Sequence, residues 1–204
     1  MTRVSVPSVV GSVKVVPVLR GLETSRVIDV ASVLSEGGIP IVEVTMDSPD
    51  ATESIAQAAT RGICVGAGTI RTEEQARAAV GSGAQFLVAP HTDLDVVGWA
   101  VGVGAPIVPG VLTPTEAVSA WNAGAAAVKV FPASVVGPGF LEALRGPLPD
   151  VVAIPTGGIT AAEARSYIHA GALAIGVGGW LTGHDDLNVV RTRAQALVEV
   201  CQNA

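Results

Sequence analysis

The chain has 204 residues, of which 49% are hydrophobic, 15% charged and 24 in number are glycine. An apolar fraction drawn from Ala, Val, Ile and Leu, with only 3% aromatics, excludes disorder and supports one large core, a single domain over residues 1–204. Twelve basic against eighteen acidic residues give a net charge of −6 without any basic run, which argues against a nucleic-acid partner.

Short β-branched runs alternate along the chain with Ala-rich stretches of helical spacing, the sign of βαβ units around a parallel sheet. The predicted strands are Val15–Leu19, Ile41–Val44, Cys64–Ala67, Phe86–Ala89, Ile107–Val108, Ala126–Phe131, Val151–Ile154 and Leu173–Gly176. The predicted helices are Ser25–Glu36, Pro49–Thr60, Thr72–Ser82, Leu94–Val103, Pro114–Ala123, a short Phe140–Leu144, Ala161–Ala170 and Asp186–Cys201. Thr72, Thr113 and Thr160 each precede a carboxylate-bearing first turn and are expected to cap their helices. Glycines follow the helices at Gly37-Gly38, Gly83, Gly124 and Gly171, suiting a left-handed stop. Eight such units in one chain predict a single (β/α)8 TIM barrel. A doubly wound open sheet is the alternative, but the GxGxxG fingerprint that would mark a dinucleotide site is absent.

The apolar runs stop well short of the roughly 20 residues of a membrane span, and Met1 to Val10 lacks the continuous apolar core of a secretion signal. No membrane partner and a cytoplasmic address are therefore expected. Cys64 and Cys201 have no CxxC spacing and read as buried, inert thiols. No His, Cys or carboxylate set has zinc or magnesium spacing, so neither metal nor cofactor is expected. The absence of a GxSxG elbow gives a serine hydrolase no support.

Two residues sit where a barrel strand should be apolar. Glu43 lies between Val42 and Val44, and Lys129 between Val128 and Val130. Inner-strand charges are costly unless paired or used. The chain has only two lysines, Lys14 and Lys129, against ten arginines. An amine placed inside an apolar strand, where guanidinium would serve equally well as a cation, points to Schiff-base chemistry, because only the amine can deprotonate and attack a carbonyl. The plainer alternative is a buried ion pair that orders the interior.

Polar residues gather where the strands end: Arg20, Thr69 and Thr156. Gly157-Gly158 and Gly178-Gly179 occupy the last two βα loops, where such barrels often hold phosphate on backbone N–H groups. His91 follows the fourth strand at the rim, while His169 and His184 read as surface residues.

The series Val42-Glu43-Val44-Thr45, Gly66-Ala67-Gly68-Thr69, Lys129-Val130-Phe131-Pro132-Ala133 and Pro155-Thr156-Gly157-Gly158-Ile159 resembles the class I aldolases acting on 2-keto-3-deoxy-6-phosphogluconate, with their 4-hydroxy-2-oxoglutarate and phosphogalactonate relatives. The resemblance runs nearly the whole chain in order. It implies a homotrimeric barrel in which Lys129 forms the imine, Glu43 moves protons, Thr69 and Thr156 line the substrate and Pro90 shapes the pocket wall. It also implies a phosphorylated keto-acid ligand held by the Gly157-Gly158 and Gly178-Gly179 loops. Two positions depart from the family pattern. Gluconate-type members commonly have Arg four residues after the Glu, where this chain has Asp47, and the loop before the Trp often offers Ser, where this chain has Gly179. Asp47 is expected to repel a substrate carboxylate, leaving Arg20 to bind it. Arg20-Gly21 and Ser48-Pro49 resemble the galactonate type. A sugar-phosphate isomerase or epimerase with Glu43 as base and Lys129 as an electrostatic partner, which borohydride would not trap, and a catalytically silent barrel that senses a phosphorylated metabolite, which would show ligand-dependent melting but no turnover, remain the alternatives.

Overall fold

β-Branched runs fully buried on both faces need partners on both sides, and parallel strands covered by helices supply them. The computed structural model describes residues 3–204. Its strands are β1 (Val15–Leu19), β2 (Ile41–Thr45), β3 (Cys64–Gly68), β4 (Phe86–Val88), β5 (Ile107–Val108), β6 (Gly110–Val111), β7 (Lys129–Val130) and β8 (Ile175–Val177). The helices are α1 (Ser8–Val13), α2 (Thr24–Glu36), α3 (Ala51–Thr60), α4 (Glu73–Gly81), α5 (Leu94–Gly102), α6 (Pro114–Asn122), α7 (Ala133–Val136), α8 (Pro138–Arg145), α9 (Ala161–His169), α10 (Gly179–Thr182) and α11 (Leu187–Gln202). Together they make an α/β barrel-like fold: one parallel sheet in the order β5-β4-β3-β2-β1-β8 and a second, two-stranded parallel pair β6-β7.

The expected strand Ile107–Val108 is present as β5, and a further short strand, β6, follows Pro109, which has no N–H to give to a ladder. The expected strand Ala126–Phe131 is regular only over Lys129–Val130, and Val151–Ile154 departs further. Residues 151–156 form only isolated bridges, Val128 to Ala153 and Thr156 to Gly176, with Pro155 between them. Hydrogen bonds nevertheless cross both sides of these segments. Lys129 N donates to Pro109 O (2.8 Å) and Phe131 N to Val111 O (3.1 Å). Ile154 N donates to Val128 O (2.8 Å), Thr156 N to Val130 O (2.9 Å), and Gly176 N to Pro155 O (2.8 Å).

The expected caps are present. Thr113 and Thr160 form reciprocal boxes with Glu116 and Glu163, and Thr72 accepts from Gln75 N. Gly38, Gly83, Gly124 and Gly171, each between a helix and the next strand, have φ of 93°, 97°, 101° and 95°, a conformation that L side chains rarely adopt. Three short helices were not expected: α1, α7 and α10. Val10 of α1 is fully buried and, with Val6 and Val16, lines the small interior space between the strands. Cys64 and Cys201 are buried, and burial pushes both thiols up to about 11, so they stay protonated near neutral pH. No described helix is long and apolar enough to cross a membrane.

Candidate active site

Because the strands are parallel, their C-terminal ends share one side, and the loops there gather the polar residues. Glu43 is central on β2, in register with Val18 of β1 and Gly66 of β3; Lys129 opens β7 opposite Gly110 of β6. Both point inward and are almost wholly buried, at 2% and 3% exposure. Lys129 Nζ lies 3.8 Å from Glu43 Oε1, beyond the 2.7–2.9 Å of a charge-assisted hydrogen bond. Glu43 Oε1 is buried without a hydrogen-bond partner. A pair so loosely closed is a poor stabilising element, since buried ions repay their desolvation only when the remaining lone pairs are satisfied.

Space for these groups comes from glycine. A Cβ on Gly68 would lie 1.9 Å from Glu43 Oε1, and one on Gly66 would lie 2.2 Å from the Phe86 ring. The Gly66-Ala67-Gly68 run thus hollows one face of β3 for a carboxylate and an aromatic ring. Gly176 does the same for Thr156, whose Oγ1 a Cβ there would meet at 2.2 Å. Gly68→Ala is expected to force Glu43 away from Lys129, costing about 1–3 kcal/mol of stability. A displacement on this scale lowers turnover roughly 100-fold. Parallel measurement of kcat and thermal unfolding checks both effects.

Above the pair opens a cavity of about 270 Å³. Lys129 and Thr156 line it and also the small interior space that Glu43 lines, so the amine stands at the cavity floor. Arg20, Gly157, Gly158, Gly178 and Gly179 form the walls. Gly157 and Gly158 have φ of 99° and 75°, so this turn requires glycine. Thr160, the N-cap of α9, and Gly178, the N-cap of α10, border the same cavity; the start of α9 is closed by its capping box, whereas α10 has no side-chain cap on its first-turn N–H groups.

Two expected residues lie elsewhere. Pro90 borders an adjoining hollow of about 170 Å³ with His91, Gly110, Glu116 and Phe131 instead of the main cavity. Thr69 reaches the site through Arg20, whose Nη2 donates to Thr69 Oγ1 (3.0 Å). Thr69 has φ of +57°, a left-handed conformation unusual for a β-branched residue, which costs of the order of 1–3 kcal/mol and is typical of functional loops. Asp47 does not stand free to repel an acid: its Oδ2 accepts from Arg20 Nη1 at 2.7 Å. Sequence alone could not show this, because the partners lie on different strand ends.

Phe131 and Trp180 also belong to the cavity wall. Lys129 Nζ is 5.1 Å from the Phe131 ring centroid, within cation–π reach. The available signal was rarity: Phe131 is one of three phenylalanines and sits two positions after Lys129, on the same face of its strand.

Residues 6–195 match the model of the family described as KDPG and KHG aldolase. The chain belongs to this family. It is 34% identical over 185 residues to the 2-dehydro-3-deoxy-6-phosphogalactonate aldolase of Escherichia coli (strain K12), covering 89% of this chain and 90% of that one. It is 39% identical over 175 residues to the 2-dehydro-3-deoxy-phosphogluconate aldolase of Treponema pallidum, covering 83% and 82%. The crystal structure of 2-keto-3-deoxy-6-phospho-gluconate aldolase from Zymomonas mobilis superimposes with a TM-score of 0.88 at 30% identity, over 95% of this chain and 96% of that one. In this chain, the departure at Gly179 has no steric origin, since a Cβ there would meet nothing within 4 Å.

Proposed function

We propose that this protein is a class I aldolase, a carbon–carbon lyase that cleaves a 2-keto-3-deoxy-6-phospho sugar acid to pyruvate and glyceraldehyde 3-phosphate. The observation that carries the reading is a single buried amine at the floor of a cavity, 3.8 Å from a buried carboxylate. Neutral Lys129 Nζ attacks the C2 carbonyl carbon, and the carbinolamine hydroxyl, once protonated, leaves as water to give a cationic imine. Glu43 takes the proton of the C4 hydroxyl, the C3–C4 bond breaks, and its electron pair moves into the imine to give an enamine. Glyceraldehyde 3-phosphate leaves, a proton returns to C3, and water hydrolyses the imine to free pyruvate and the amine. Thr156 orients substrate oxygens, Arg20 binds the carboxylate, and the Gly157-Gly158 and Gly178-Gly179 loops hold the phosphate, so that remote binding energy aligns the reacting carbons. No metal or cofactor enters the cycle.

The same reading makes the chain one closed (β/α)8 barrel domain, supported by the hydrogen bonds that join residues 107–111, 126–131, 151–156 and β8 in sequence. It includes the cytoplasmic address expected from the sequence and the homotrimer that the family resemblance implies, with Leu94, Val103 and Val135 as exposed apolar side chains available to subunit contacts. Pro90 keeps a supporting place, shaping the wall through the neighbouring hollow. A coupled assay of pyruvate release from the phosphogluconate, phosphogalactonate and hydroxyoxoglutarate substrates tests the reading. Turnover of a phosphorylated substrate is expected; release from none of the three would contradict it, and an isomerase or a silent sensor would behave in that way.

A further inference from the structure

We propose that Asp47 is a positioning residue which, with Thr69, fixes the Arg20 guanidinium in the orientation that receives the substrate carboxylate. This inference rests on the aldolase reading and deepens it. A guanidinium carries five N–H donors in a rigid plane. Here Asp47 Oδ2 takes one from Nη1 at 2.7 Å and Thr69 Oγ1 takes one from Nη2 at 3.0 Å. Two anchored nitrogens stop rotation of the plane and leave three donors, enough for a bidentate carboxylate contact on the cavity wall that Arg20 lines.

The need for anchoring follows from exposure. The Arg20 and Asp47 side chains are 53% and 40% exposed, so packing alone does not hold Arg20, and an untethered Arg spreads over many rotamers. The loops that bring the two anchors together are themselves fixed. Met46 N donates to Gly68 O (2.8 Å), tying the end of β2 to the end of β3. Ser48 Oγ accepts from Gly21 N (2.8 Å) and lies 3.0 Å from Thr45 Oγ1, tying the same loop to the end of β1. The left-handed backbone of Thr69 is the third constraint, setting where its hydroxyl is held. These ties converge on one guanidinium from the ends of three strands. The opposite idea, that Asp47 repels the incoming acid, predicts effects of opposite sign.

The test is a pyruvate titration of borohydride trapping on Lys129, read by mass spectrometry of the intact full-length protein. Wild type, Asp47→Ala, Arg20→Ala and the double variant are compared, with Asp47→Asn as a variant that keeps an acceptor oxygen. Asp47→Ala is expected to raise half-saturating pyruvate about fivefold, the upper end for an exposed ion pair, with an unchanged plateau. Asp47→Asn should recover part of that rise. Arg20→Ala should raise it about 10- to 100-fold, as loss of charge-assisted hydrogen bonds does. Adding Asp47→Ala to Arg20→Ala should do nothing further, because Asp47 acts through Arg20. Half-saturation that is unchanged or lower in Asp47→Ala, or the same fold change in both backgrounds, overturns the proposal. Absence of any adduct in wild type overturns the aldolase reading beneath it, and the proposal with it, and is a separate observation.

Discussion

Lys129→Arg is expected to reduce turnover by about 10⁴-fold or more while the protein still folds. The substitution keeps a cation opposite Glu43 and removes only the ability to form an imine, since guanidinium does not deprotonate in proteins. Lys129→Met is the less informative choice. It leaves the Glu43 carboxylate buried at 2% exposure without its cation, at a cost of about 3–5 kcal/mol, so lost activity could reflect lost folding. Comparing kcat with the thermal unfolding midpoint for Lys129→Arg separates the two. An isomerase using Lys129 only as an electrostatic partner would retain substantial turnover in this variant, because the charge is conserved.

Glu43→Gln is expected to lower kcat by about 10²- to 10⁴-fold, the usual worth of a positioned acid–base group, while Lys129 still captures pyruvate. The amide has nearly the same shape, so the hollow made by Gly68 still fits it, but it cannot take the C4 hydroxyl proton. Persistence of borohydride trapping with loss of cleavage would assign Glu43 to proton transfer. Equal loss of both would place it earlier, in imine formation.

What the sequence conveyed divides along the range of the interactions. Helix ends depend on contacts three or four residues apart, and so Thr72, Thr113, Thr160 and the four left-handed glycines were all visible in it. Strand Ile107–Val108 was legible, but the resumption of pairing at Gly110–Val111 and the reduction of 151–156 to isolated bridges were not, because Pro109 and Pro155 interrupt ladders whose apolar pattern is otherwise continuous. Helix α1, six residues of Ser, Gly and Val, has poor helix propensity; the burial of Val10 and Val13 against the core favours it instead. In the site, Glu43 and Lys129 announce themselves as charges within apolar strands, and this needs no knowledge of partners. Asp47 is the converse case: its ion pair is with Arg20, 27 residues away, and a lone acid near an anion site reads as repulsive when that contact is not in view. The roles of Gly66 and Gly68 are likewise non-local, since neither has a positive φ and each is needed for the side chain of a neighbouring strand.

Covalent capture tests the chemistry most directly. The active protein is incubated with pyruvate, reduced with borohydride, digested and mapped by mass spectrometry. A reduced pyruvyl adduct confined to the peptide bearing Lys129, and absent from the one bearing Lys14, is the expected result. An adduct on Lys14 alone, or none in protein that still turns over substrate, would mean that the buried amine is not the nucleophile.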